Sequence, residues 1–194
     1  QGVSSAASDV YKRQCHTRKC FWDGKIGMWP IITRKPAKND SKNRPKGTLE
    51  SKPLYMNAQV YKDLLVNKVL PAINSKWKGD KSATIWLQHD GAPGHRPEAV
   101  DDLVPEVAMS MFGLDVQMKR QPPNSPEMNC LDAGIFNALS KIVLREAPST
   151  IDQLISVVGK AWCDLPKETI DNVFLSVMCS MRDCLSVYGG TFQS

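Results

Sequence analysis

No apolar run in this 194-residue chain approaches the length needed to span a membrane. The first fourteen residues have no apolar centre, so they do not read as a secretory signal. There is no internal repeat and no low-complexity tract, which leaves out solenoids and compositionally biased linkers. The six cysteines include no CxxC pair. Their scatter is the usage of a reducing compartment, with thiols expected as small buried hydrophobes. Cys15, His16 and Cys20 have no second ligand pair at finger spacing, so a zinc finger is not indicated. Strong charge of one sign is also missing. A net charge of +5 fits a polyanionic partner without requiring one. What remains is an ordinary globular composition, 42% hydrophobic and 23% charged, in a chain long enough for one domain with its own core.

Along the chain, residues 25–29 and 31–33 read as strand bent at Pro30. Residues 34–46 turn basic and loop-like, with Arg34, Lys35, Lys38, Lys42, Arg44 and Lys46 against the single acid Asp40. By itself that run is a solvated loop; in a nucleic-acid enzyme it would lie along phosphates. Thr48, Leu49 and Glu50 resume the sheet as an edge. Asn57 is placed to cap a helix over 58–73, whose face is Tyr61, Leu65, Val69 and Ile73, with Pro71 bending its end. Residues 97–111 read as an irregular helix with a kink at Pro105. Leu114, Val116 and Met118 alternate with polar neighbours, as in a half-exposed strand. Three helices follow. One is expected over 131–145. The second opens on the capping box Thr150-Ile151-Asp152-Gln153 and is lined by Ile151, Leu154, Ile155, Val158 and Trp162. The last starts at Pro166, carries Ile170, Val173, Phe174, Val177, Met181 and Leu185, and ends at Gly189-Gly190. The order predicts an α/β layered fold.

Two stretches carry the chemistry. In Leu87-Gln88-His89-Asp90-Gly91-Ala92-Pro93-Gly94-His95, residues 83–88 read as a short buried strand that ends at Asp90 before a forced turn. In Gln121-Pro122-Pro123-Asn124-Ser125-Pro126-Glu127-Met128-Asn129-Cys130-Leu131-Asp132, the prolines block a helix until Asp132 falls in the first turn of the next one. Either aspartate alone is a common turn or cap residue. Together, an acid at a strand end and an acid at a helix start can converge on a divalent cation.

This pair of motifs resembles the catalytic core of mariner-type transposases of the DDE/DDD superfamily. That signature is a strand ending in Gln-Asp-Asn-Ala-Pro-x-His, followed by Pro-Pro-x-Ser-Pro-Asp-Leu-Asn and a last acid. Gly24-Lys25-Ile26-Gly27-Met28-Trp29-Pro30 and Ser41-Lys42-Asn43-Arg44-Pro45-Lys46-Gly47-Thr48-Leu49-Glu50 extend the likeness, which covers roughly residues 23–189. Gly91 replaces the family's Asn and Glu127 its Asp.

The resemblance implies an RNase H-like fold, a mixed sheet flanked by helices. It implies Mg²⁺- or Mn²⁺-dependent DNA cleavage and strand transfer, with Asp90 and Asp132 as catalytic metal ligands and His95 in a supporting role. Arg34, Lys35, Lys38, Lys42, Arg44, Lys46, Lys119 and Arg120 become the phosphate-contacting set. The partner is duplex DNA, transposon ends and target, with no membrane. The full-length protein is expected in the nucleus as a homodimer.

The family's first acid lies in an Asp-Glu-Lys-Trp-type segment, which neither Asp9 nor Asp23 matches, and no helix-turn-helix region is present. Residues 2–14 resemble translated sequencing-adapter read-through. The expectation is therefore a non-native scar at 1–14 and an N-terminally truncated catalytic domain at 15–194, inactive alone. Two alternatives stay open: an inactive DNA-binding or interaction relic, and an unrelated metallohydrolase using His89, Asp90 and His95. The latter is disfavoured because adjacent strand residues point to opposite faces.

Overall fold

The computed structural model of the chain describes residues 22–42, 44–80, 82–90 and 98–187. Strands β1 (Ile32–Pro36) and β2 (Leu49–Pro53) form an antiparallel pair, with Ile32 opposite Pro53 and Pro36 opposite Leu49. The connection is closed by Ala37 N–H on Thr48 O at 2.8 Å and Gly47 N–H on Ala37 O at 3.0 Å. Gly47 sits at φ +87°, a conformation open to glycine and strained for other residues.

Asn57 then caps helix α1, its side chain accepting from Val60 N–H at 3.0 Å. Helix α1 runs Ala58–Leu64 as α-helix, Leu65–Val69 as a π-helical turn and Leu70–Lys76 as α-helix again. Pro71 explains the widening. It has no N–H to donate, and its ring would strike the carbonyl one turn back. The π-turn absorbs that step, with Leu70 N–H reaching back to Leu65 O.

Strand β3 (Ile85–His89), helix α2 (Glu98–Phe112) and strand β4 (Val116–Arg120) form a β-α-β unit, the two strands parallel. Three helices complete the chain. Helix α3 comprises a π-turn, Leu131–Ile135, and an α-helix, Phe136–Glu146; α4 is Ile151–Asp164; α5 is Lys167–Ser186. The capping box at Thr150 and Gln153 is present.

Two apolar clusters hold these elements. One joins α1, β3, α2 and β4 through Leu70, Ile73, Ile85, Val104, Leu114 and Val116. The other joins α3, α4 and α5 through Leu131, Ile135, Leu139, Ala161, Ile170 and Val173. The hairpin is tied to α4 by the buried Ser51, whose Oγ donates to Asp152 Oδ1 at 2.6 Å.

The α/β expectation holds at that level. The expected single mixed sheet is instead two separate two-stranded sheets among the described residues. Residues 25–29 are not a strand. The Ile26 carbonyl accepts from Lys76 Nζ at 2.5 Å rather than from a neighbouring backbone, so a side chain from a helix replaces a ladder there. Arg34 and Lys35 belong to β1, not to a loop. The strand expected over 83–88 runs Ile85–His89 and is not buried throughout: Trp86 is 42% exposed, because successive side chains alternate across a sheet with one open face. Leu154, Met181 and Leu185 face solvent at the outer side of their helices. Of the described cysteines only Cys130 is buried; Cys163 and Cys179 are exposed. Gly189-Gly190 and residues 1–14 lie outside the described residues.

A Cβ added at Gly134 would meet Val173 Cγ2 at 2.6 Å, so this glycine sets how closely the first turn of α3 approaches α5. Alanine gains about 1 kcal/mol of helix propensity, but overpacking against a β-branched neighbour costs about 1–3 kcal/mol. Gly134→Ala is therefore expected to lower the urea midpoint; a midpoint raised by the substitution would show that α5 yields without cost.

Candidate functional site

Parallel pairing brings the carboxyl ends of β3 and β4 to one edge, the side on which α/β sheets present their ligands. Ile85 pairs with Val116 and His89 with Arg120; Gln121 N–H on His89 O at 2.8 Å extends the ladder by one step. Asp90, half-buried, leaves the sheet at that edge. The proline-rich turn follows directly from β4 and folds on itself. Gln121 Nε2 donates to Ser125 O at 2.6 Å, Met128 N–H to Ser125 O at 3.0 Å, and Asn124 takes a positive φ of 56° that asparagine tolerates.

The two motifs are fastened together. Gln88 Nε2 donates to Met128 O at 2.9 Å, linking the residue two before Asp90 to the residue four before Asp132. Asn129 then organises the helix start. Its Oδ1 accepts from Leu131 N–H at 3.0 Å and its Nδ2 donates to Asp132 Oδ2 at 2.9 Å. Asp132 is exposed in the first turn of α3, as expected. Asn129 thus occupies one carboxylate oxygen and fixes the side chain's direction. Its position three residues before an acid at a helix start was the sequence signal for this role. Glu127 lies in a short 3₁₀ turn, Pro126–Met128, consistent with a turn residue.

Behind the edge lies a polar group that sequence reasoning did not assemble. His89 is buried at 6% exposure, with Nε2 3.5 Å from Asp101 Oδ1. Asp101 also receives Arg120, through Nη2 at 2.8 Å and Nε at 3.1 Å. The Tyr61 ring lies 6.1 Å from the His89 ring. Burial, and then the nearby Asp90 and Asp101 carboxylates, hold the Tyr61 phenol well above its ordinary pKa. Tyr61 was read as a core residue of α1, which it is. Its proximity to both acids depends on α1 packing over β3. His89 points into this group, so the reading that makes it a metal ligand with Asp90 and His95 loses support. His95 itself lies outside the described residues. Burial pushes the Cys130 thiol up to about 11, leaving it protonated near neutrality.

Oxygen donors from Asp90 and Asp132 suit Mg²⁺ or Mn²⁺ in kind. Among the described residues no group of three or more His, Cys, Asp or Glu is placed to hold a metal ion. The basic set divides. Arg34, Lys35, Lys38, Lys42 and Lys46 are exposed on the hairpin. Arg44 forms an ion pair with Glu50 and donates to Asn39 O at 2.9 Å, which stabilises the hairpin loop. Arg120 is held by Asp101, and Lys119 Nζ lies 5.5 Å from the Trp86 ring centre.

Comparison of the chain with models of protein families, with curated proteins and with solved structures finds no match.

Because Tyr61 is raised above the ordinary tyrosine value of 10.0, the folded state keeps its proton where the unfolded state has lost it. Stability from this group is fully present below pH 10 and is lost as pH rises beyond it. Unfolding midpoints measured at increasing alkaline pH should fall, and Tyr61→Phe should flatten that fall. An unchanged alkaline slope in Tyr61→Phe would place the loss elsewhere.

Proposed function

We propose that the chain carries the second and third acids of a mariner-like DDE/DDD transposase centre, Asp90 and Asp132, on a β3–α2–β4 unit that is one part of an RNase H-like fold acting on DNA with Mg²⁺ or Mn²⁺. The observation that supports this most is the Gln88–Met128 hydrogen bond. It joins two motifs far apart in sequence at the carboxyl edge of a parallel strand pair. Transferring a DNA strand requires in-line attack at an anionic phosphorus, which repels a nucleophile until charge is neutralised. Asp90 and Asp132 would hold a divalent metal, which would supply that neutralisation and Lewis-acid activation of the attacking oxygen when bound. The chain's own part is to hold oxygen ligands rigidly. Asp90 is fixed by the end of β3, and Asp132 by the helix start and Asn129. The exposed lysines of the hairpin hold the phosphate backbone without reading bases.

The second reading is DNA binding without chemistry, which the exposed hairpin lysines would support by themselves. The two separate in a direct test. Mn²⁺ binding followed by electron paramagnetic resonance should weaken in Asp90→Asn and in Asp132→Asn by at least the roughly tenfold that loss of a supporting residue costs a metal site. Mn²⁺ affinity indifferent to both substitutions would sink the metal assignment. With two acids the chain is expected to leave DNA uncut in Mg²⁺, since each ion then lacks a fixed ligand. Cleavage that persists in Asp90→Asn would put the chemistry at another site.

Duplex DNA binding should be weak, sequence-independent and steeply salt-dependent. Replacing Lys35, Lys38, Lys42 and Lys46 by glutamine should lower both affinity and the slope of log K against log salt, by about 0.9 for each phosphate no longer neutralised. An affinity flat in salt would refute the phosphate reading.

A further inference from the structure

The 23–29 segment, the end of α1 and α4 enclose a groove of about 700 Å³, within the range of ligand-binding clefts. Its walls combine three tryptophans, Trp22, Trp29 and Trp162, with three lysines, Lys25, Lys76 and Lys78. Among the described residues, Asp23 is the single acid lining it.

Each feature narrows the chemistry of an occupant. The tryptophans are half-buried, so each ring is anchored by the fold while part of it remains at the surface. Trp22 is set edge-on to Trp77, ring centres 5.7 Å apart. The Trp29 ring lies directly over Gly27, where an added Cβ would approach it to 2.5 Å. Lys25 locks the walls together. Its Nζ donates to Cys163 O at 2.8 Å, lies 3.4 Å from Asp23 Oδ2, and sits 6.0 Å from the Trp162 ring centre. Its side chain is 9% exposed, so its charge is largely satisfied inside the protein. Lys78 is exposed just past the end of α1; Lys76 is exposed as a residue, but its Nζ is already engaged on the Ile26 carbonyl. Lysines at the rim disfavour a cationic ligand, which would otherwise suit an aromatic cleft. Fixed indole rings favour a planar group over an aliphatic anion. Planar faces beside phosphate-binding cations are what single-stranded nucleic acid recognises: bases stack, the backbone follows the positive charge, and sequence matters little.

The geometry points to this groove as a binding site for single-stranded DNA, with a base on the exposed indole surface of Trp29 or Trp162 and an adjoining phosphate on Lys78. The site goes beyond the metal-centred reading and does not depend on it.

Quenching of intrinsic tryptophan fluorescence by an octamer of deoxythymidylate tests this. Saturable quenching that weakens with salt is expected. Trp29→Leu and Lys78→Glu should each reduce affinity, by about tenfold for the stacking residue, while circular dichroism and the thermal midpoint remain near those of the parent. Should Trp29→Leu unfold the chain, Lys78→Glu at the exposed rim still decides. Asp90→Asn should bind the octamer as the parent does, so that failure here and failure of the metal centre are distinguishable. Free deoxythymidine monophosphate should quench far less, since it offers one stack and no continuing backbone. Equal quenching by a poly-glutamate peptide would reduce the groove to a charge effect and overturn the proposal. So would parent-like affinity in both variants, or a duplex bound as tightly and through the same residues.

Discussion

The parallel pairing of Ile85–His89 with Val116–Arg120 is the constraint on which the rest depends. Two parallel strands cannot be joined by a tight turn, so the chain must cross over, and α2 is that crossover. Once the register is fixed, His89 lies opposite Arg120, and Asp90 and the proline-rich turn leave the sheet at the same edge. A slip of β3 by one residue would carry Ile85 and Leu87 out of the core and reverse the faces of Gln88 and His89. The core therefore decides where the acids stand: Ile85, Leu87, Leu114 and Val116 are all nearly inaccessible, and their burial sets the register.

That edge is held from behind by polar contacts as well as by packing. Asp101, on α2, bridges the last residue of β3 and the last residue of β4 through His89 and Arg120. The group stands where the strands leave the core: His89 is buried, while Asp101 and Arg120 reach solvent. It gives the crossover helix a second attachment to the strands, independent of the Val100–Val104–Ala108 stripe. In front of the edge, Gln88 and Asn129 perform the corresponding task for the loops. Both use amide side chains that donate and accept, which suits turns whose backbone groups are left without ladder partners.

The hairpin shows how one sequence feature divides into different roles. Six basic residues read as one patch in the sequence. In the fold, Arg44 is drawn into an ion pair with Glu50, and the lysines stay exposed to solvent. A guanidinium, with its several donors, is the natural choice for an internal loop brace, and an ammonium on a flexible stem for a solvated contact.

Local signals determined much of this protein from sequence. The caps at Asn57 and Thr150, the apolar stripes of α1 and α5, the strand-end position of Asp90 and the helix-start position of Asp132 all depend on neighbours within a few residues. Spacing alone encodes them. The tertiary structure alone decided what lies across space. Among the described residues it made two small sheets in place of one, left residues 25–29 outside both, and buried His89 against Asp101. It also brought Tyr61 near two carboxylates and drew Arg44 away from the exposed lysines. None of these has a sequence period, because each depends on which surface of a distant element arrives beside it. The Gln88–Met128 contact belongs to the same class. The sequence places an acid in each motif, but only the parallel crossover, by returning the chain to the same edge, brings the two motifs together.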